Sequence, residues 1–335
     1  MRRIGAVAVG GLALLAACSE SPVPTQPVDA SSPVPAMDQQ DAAPIAVMRT
    51  RNDIALAPEH EGANTGATRA AGTSTGIIYH NGPILTTPKT AAIYWSSSAI
   101  YAGAPASGTG TGADGSLIGY FMSNLGASNY WGINNTYTNS SGGRVPKSLG
   151  FIGYWATGTT PPAKPTDADM QGLLNSGFST GKLAWDAQAV YAIFTGHGIN
   201  LGGGFGTQYC AYHYWYTAPA TAGAAAGKVV KYAAMPYNAD YPSGCMGQTN
   251  GPNGDAAADA EMNTLAHEIE EAATDPEGNA WYDRRGNENA DKCAWNFGTT
   301  QTAANGTRWN ILVGTKQFYV QQNWKNVAGG GCFLQ

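Results

Sequence analysis

The chain reads as an α+β protein, a single secreted domain of mixed sheet and helices. Three observations point there. Segments rich in β-branched and aromatic residues, punctuated by Gly, Pro and Asn, alternate along the chain with segments of helical period. The composition is loop-rich and aromatic, with Gly 44, Trp 9 and Tyr 17 against 12% charged residues, and aromatics of this kind often line sugar-binding surfaces. Four of the five cysteines lie from Cys210 onward, an even number that suits two disulfides in an oxidising compartment.

Taken in order, the N-terminus is a lipoprotein signal peptide over residues 1–17. Arg2 and Arg3 precede an apolar run from Ile4 to Leu15, and Leu15-Ala16-Ala17-Cys18 closes it. Small residues before a Cys mark a lipid acceptor at Cys18, so the expected membrane partner is reached through lipid. The expected location is a bacterial cell envelope, and Ser19 after the Cys favours the outer membrane or cell surface. No later stretch approaches the roughly 18 apolar residues of a spanning helix. Residues 18–75 are Ala/Pro/Ser-rich with almost no aromatics and are expected to be a disordered tether. His60 lies in it, and Arg49 to Ala57 is its one candidate strand.

Residues 76–335 form the globular domain, roughly 260 residues and enough for one substantial core. Strands are expected at Ile77 to Tyr79, Ala91 to Trp95, Ala189 to Thr195, Val229 to Met235, Trp309 to Val313 and Gln317 to Gln321, the last two as a hairpin across Gly314. Helices are expected at Ser116 to Leu125, Ala168 to Ser176 and Asp255 to Ala273, with Asp114 and Thr166 as N-caps of the first two. Four cysteines allow three pairings. Cys210 with Cys245 and Cys293 with Cys332 are favoured, because each closes a moderate loop within one region. A site made by all four is disfavoured by the lack of CxxC spacing.

Chemistry concentrates on the third helix, where Leu265 to Cys293 reads LAHEIEEAATDPEGNAWYDRRGNENADKC. His267 and Glu271 sit at i and i+4, one turn apart on one face, and can hold a cation between an imidazole and a carboxylate. The pattern is a zincin-like HExxE: in HExxH zincins the Glu after the first His activates water, here Glu268, and Glu271 replaces the second His with an oxygen that zinc also accepts. A helical wheel sets Met262, Leu265, Ile269 and Ala272 on one stripe with His267 and Glu271 nearly opposite, so a solvated outer face is the competing reading. Against it, 11 of the 23 Asp and Glu fall between Asp255 and Asp291.

Elsewhere, His197 in Thr195-Gly196-His197-Gly198 follows a strand and is an accessory candidate, as are Trp281 and Tyr282. His80 lies in a strand-to-turn motif, and His213, amid Tyr212, Tyr214, Trp215 and Tyr216, reads as packed in an aromatic cluster. There is no GxSxG elbow and no phosphate-cradling GxxxxGK[ST]. A formal charge of -5 without a basic stripe argues against a nucleic-acid partner.

Tyr79-His80-Asn81-Gly82-Pro83-Ile84-Leu85, the HExxE helix, Asn279-Ala280-Trp281-Tyr282, Asp291-Lys292-Cys293 and Phe318-Tyr319-Val320-Gln321-Gln322-Asn323-Trp324 together resemble the phosphate-induced, or EXORDIUM-like, proteins. The resemblance covers roughly Ile77 to Cys332. It implies an exported protein; the lipobox and long tether depart from the plant members, so their cell-wall setting does not carry over, and the reaction is left open.

Three readings follow. In the first, His267 and Glu271 bind zinc, Asp291 or Asp275 is the third ligand, and Glu268 is the general base for hydrolysis of a peptide or amide bond. In the second, Asp275, Asn279, Asp283, Asn287, Asn289 and Asp291 hold calcium and order Trp281 and Tyr282 for a wall polysaccharide, without catalysis. In the third, Glu268 and Glu271 act as a carboxylate pair on a glycoside.

Overall fold

Seven strands make one mixed sheet in the order β1-β7-β8-β6-β3-β5-β4. They are β1 Ala46–Arg49, β3 Lys89–Trp95, β4 Ser107–Gly110, β5 Gly150–Thr157, β6 Ala189–Thr195, β7 Tyr209–Thr217 and β8 Val229–Met235. The computed structural model describes residues 46–51 and 76–335, so Cys18, His60, the signal peptide and most of the expected tether lie outside the described residues. The centre of the sheet is parallel: β3 pairs β5 and β6, and β6 pairs β8. The flanking strands β1, β7 and β4 run antiparallel to their neighbours. Parallel strands need both faces covered, and β6, AVYAIFT, is buried throughout.

Alternate residues of these strands enter two cores. Ile93, Tyr191, Ile193 and Tyr232 face one side, where α2, Asp167–Ser179, packs Met170, Leu174 and Phe178. Tyr94, Phe194, Ala211 and Met235 face the other, with α1, Leu117–Asn124, and the long α4, Ala256–Thr274; α3, Pro242–Cys245, is a single turn. The result is an α+β molecule with a helix layer on each face of the sheet. Thr166 caps α2 in a capping box with Asp169, and Asp255 caps α4 by accepting from the Ala258 N–H. For α1 the cap is Ser116, not Asp114, whose carboxylate instead takes the Ser116 N–H at 2.8 Å.

The disulfides join Cys210 to Cys245 and Cys293 to Cys332. The short strands β10, Gln301–Thr302, and β11, Arg308–Trp309, pair with each other, and β12, Ile311–Val313, and β13, Lys316–Phe318, form the expected hairpin across Gly314. The short β2, Ile78–Tyr79, pairs with β9, Trp281–Tyr282, so two segments that carry the family resemblance lie against each other. Gly82 N–H donates to Asn279 O at 2.9 Å, and a Cβ at Gly82 would stand 2.4 Å from that oxygen, which explains the glycine.

Several elements differ from expectation. Ala46–Arg49, assigned above to the tether, is a strand of the main sheet and pairs with β7. Strand β5 escapes sequence reading because Gly150 and Gly153 break its pattern; Gly153 sits at φ 118, with Gly110 O at 2.1 Å from any added Cβ. The aromatic segment around His213 is strand β7, whose tyrosines pack on Tyr232, while His213 itself meets Glu268 of α4 rather than the aromatic cluster. Among the described residues no helix is long and apolar enough to cross a membrane.

Candidate metal centre

Helix α4 is buried on every side: each residue from Ala258 to Thr274 is shielded. A helix buried all round is ordinarily apolar, yet this one carries His267, Glu268, Glu270 and Glu271, all fully enclosed. The solvated outer face is therefore excluded. One side of α4 meets the sheet, and the other is covered by the chain between Asn289 and Gln321.

Three elements converge on it. On β7, Tyr212 and Tyr216 point to α2, where Tyr212 Oη donates to Asp167 at 3.2 Å. The alternate residues Ala211 and His213 point to α4, and His213 Nδ1 lies 3.1 Å from Glu268 Oε2. The segment after β9 supplies Glu288 and Asp291, the latter opening a 3-10 turn, Asp291–Cys293, fixed by the Cys293–Cys332 bond. Asp291 N–H donates to Glu271 Oε1 at 2.9 Å, which seats that turn on the helix. Gln321, beyond β13, places its amide 2.9 Å from His267 Nδ1.

Two overlapping ligand sets result, His267, Glu271 and Asp291 in one and His213, Glu268 and Glu271 in the other; within each, candidate atoms lie within 4.8 Å of one another. His267 Nε2 stands 3.1 Å from Glu271 Oε2 and 3.5 Å from Asp291 Oδ1. His213 Nδ1 is 3.8 Å from Glu271 Oε2, and its Nε2 is 3.7 Å from Glu288 Oε2. His267 Nε2, Glu271 Oε2 and Glu288 Oε2 are all buried without a hydrogen bond. Buried polar atoms left this way are rare, and a cation would satisfy the first two.

The electrostatics agree. Burial pushes the Glu271 carboxyl up to about 7, and the charge of Asp291 acts in the same direction. Burial and then Glu271 hold Glu288 well above the usual carboxylate range. For His267, burial pulls the imidazole down, but Glu271 and Asp291 outweigh it and leave it well above its ordinary value. His213 is raised in the same way, burial being outweighed by Glu268. Crowded carboxylates that resist ionisation and imidazoles that hold protons are two signs of one excess of negative charge.

The other expected site residues have different roles. Asp275 Oδ1 accepts from Asn279 and Ala280 N–H at 2.7 and 2.6 Å, so it shapes the turn after α4 and joins neither set. Asp283 accepts from Arg285 and Asn287 N–H and pairs with Lys292, and Asn289 turns to Asn134 and the Glu270 carbonyl. Trp281 is buried between Tyr79 and Tyr137, and Tyr282 stacks on His80 at 3.6 Å. His197 is 84% exposed and pairs with Asp240. Sequence reading missed His213, Glu288 and Gln321. For His213 the signal was present: tyrosines at 212, 214 and 216 mark a period of two that makes 213 an inward position of the opposite face.

Fold and cluster together define an α+β protein with a buried acid and imidazole centre on one helix. The chain matches the phosphate-induced protein 1 conserved region over residues 123–321 and belongs to that family. The matched span holds His213, α4, Asp291 and Gln321, and β1 lies outside it. No curated protein and no solved structure matches the chain.

Proposed function

We propose that the protein is a metal-dependent hydrolase of peptide or amide bonds, with zinc held by His267, Glu271 and Asp291. The observation that supports this most is the meeting of His267 Nε2 and Glu271 Oε2 at 3.1 Å, both buried and neither hydrogen-bonded, with Asp291 Oδ1 3.5 Å away. One imidazole and two carboxylates fit zinc, which takes nitrogen and oxygen ligands. When bound, zinc supplies Lewis acidity toward a scissile carbonyl.

The chain's own groups do the rest. Glu268 is the general base; its Oε2 meets His213 Nδ1, which holds the carboxylate in place. Gln321 sets the tautomer of His267. Its Nε2 faces Nδ1 and also donates to Ala290 O, while its Oε1 accepts from Trp295 N–H. In that orientation the proton of a neutral ring sits on Nε2. Nε2 would be the atom that holds a metal, and the ring proton would then sit on Nδ1, facing Gln321.

Calcium on the Asp/Asn loop, serving a wall polysaccharide, is the weaker reading because Asp275, Asp283 and Asn289 are already engaged with backbone, lysine and amide partners. Export and lipid anchoring at Cys18 rest on the sequence of residues 1–18. Elemental mass spectrometry on the purified chain tests the metal. About one zinc per chain, lost in His267→Ala and Asp291→Asn, with peptide hydrolysis lost in Glu268→Gln while zinc stays, is the expected result. A metal-free wild type that cannot be loaded overturns it.

A further inference from the structure

We propose that the edge of β7 beside α4 that β1 covers is a binding site for an extended polypeptide segment, and that Ala46–Arg49 is its built-in occupant. The inference rests on the hydrolase reading only for the role of Glu268.

Among the described strands β1 is the outermost of the sheet and pairs with β7, so its leaving breaks one strand pairing there. Its register is antiparallel, with Ala46 opposite His213 and Met48 opposite Ala211, the inward residues of β7. It therefore lies over the cluster. Met48 N–H donates to Glu268 Oε1 at 3.3 Å, which places a main-chain amide of an extended segment on the very carboxylate that serves as base. With His213 on Oε2, both oxygens of Glu268 are engaged while β1 is seated.

The occupant is held as a bound peptide is held, by backbone pairing plus one side-chain pocket. Met48 is fully buried yet belongs to neither of the two cores. The pairing shifts register between Met48 and Arg49, a bulge beside the Cys210–Cys245 bond, and bulges commonly stand next to active sites. Beyond it the segment is latched: Trp295 Nε1–H donates to Arg49 O at 2.8 Å, Thr50 N–H to Gln208 O at 2.8 Å, and Arg51 Nη2 to Met246 O at 2.7 Å. His267, Glu268 and Glu271 have no exposure with the strand in place. The ligand class is thus an extended peptide, recognised through its backbone, with an unbranched apolar side chain of methionine size at the Met48 position.

The test keeps the whole chain and places a site-specific protease sequence between Arg51 and Gly76. After cutting, a labelled peptide of residues 44–51 is titrated against cut and uncut protein by fluorescence anisotropy, with metal content measured on both. A tethered occupant acts at an effective concentration of about 1 mM, so a peptide of Kd about 10 μM should bind the uncut chain about 100-fold more weakly. Met48→Asp in the intact chain, which sets a carboxylate beside Glu268, should relieve that competition, and the same change in the peptide should abolish its binding. Exchange with faster peptide hydrolysis supports both readings; exchange without hydrolysis, metal content being unchanged, supports the peptide site and removes the hydrolase. A cut chain that never exchanges its strand, or that unfolds, makes β1 a structural strand and overturns the proposal.

Discussion

Replacing Glu271 by Gln keeps the shape and the acceptor for Asp291 N–H but removes the one charge that both ligand sets share. The folded-state pKa of Glu271 is raised from 4.5 to about 7. The folded chain therefore binds this proton more tightly than the unfolded chain. Below about pH 4.5 the group is neutral in both states and has no effect; as pH rises to about 7 the metal-free fold loses stability, and the loss is complete above that. At 1.36 kcal/mol per unit the loss reaches about 3 kcal/mol. In chelator at pH 8, Glu271→Gln should therefore be more stable than wild type by up to about 3 kcal/mol, near 1 M in urea midpoint for a slope of about 3 kcal/mol/M. At pH 4.5 the advantage should largely vanish. Zinc at about 100 times its Kd should raise wild type by about 2.7 kcal/mol and leave the variant unmoved. The reasoning is refuted if the variant is the less stable protein in chelator at pH 8, for then Glu271 sits in a favourable ion pair with His267 and the cluster needs no cation.

Three further outcomes are expected. Gln321→Glu fixes the proton on His267 Nδ1 and should tighten zinc binding by about 10-fold, read by competition with a chromogenic chelator; weaker binding would show that the ring ligates through another tautomer. His213→Gln should lower kcat about 10-fold and move the acid limb of the pH profile while zinc content stays at wild-type level, whereas loss of zinc would place the metal in the His213 set. Serine at Cys293 and Cys332, which close a loop with sequence separation 39, should lower stability by about 4 kcal/mol in chemical denaturation and weaken zinc binding through Asp291. Unchanged zinc affinity would detach the turn from the centre.

What the sequence revealed followed local rules. Strands β6 and β8 were legible end to end because mainly apolar runs with β-branched and aromatic residues, bounded by loops and broken only by Lys231, suit buried parallel strands, and α2 and α4 because caps and apolar spacing agree. The partners of α4 were not. A wheel ranks the faces of one helix by its own residues, and so it placed His267 and Glu271 outside; the chain that covers them, from Asn289 to Gln321, joins them only through tertiary packing. His213 was hidden for a related reason. In YCAYHYWYT, Trp215 and Tyr216 put aromatics on both faces, and this blurs an alternation that the tyrosines at 212, 214 and 216 would otherwise announce. Ala46–Arg49 lies in an Ala/Pro-rich stretch and is a strand only through its long-range pairing with β7.

The positions of the disulfides complete the physical account of the cluster. Like charges gathered in a buried site repel, and the segments that bring them are free to separate unless something else holds them. His267, Glu268 and Glu271 share one helix and cannot part. The other two contributors arrive on separate segments, and each has a covalent anchor close by: His213 follows Cys210 by three residues and Asp291 precedes Cys293 by two. Cys210–Cys245 ties the start of β7 to α3, and Cys293–Cys332 ties the Asp291 turn to the C-terminal strand. Both cross-links thus fall beside the segments that bring charged groups to α4. They help the chain keep an excess of carboxylate in its interior, the feature on which the proposed cation site rests.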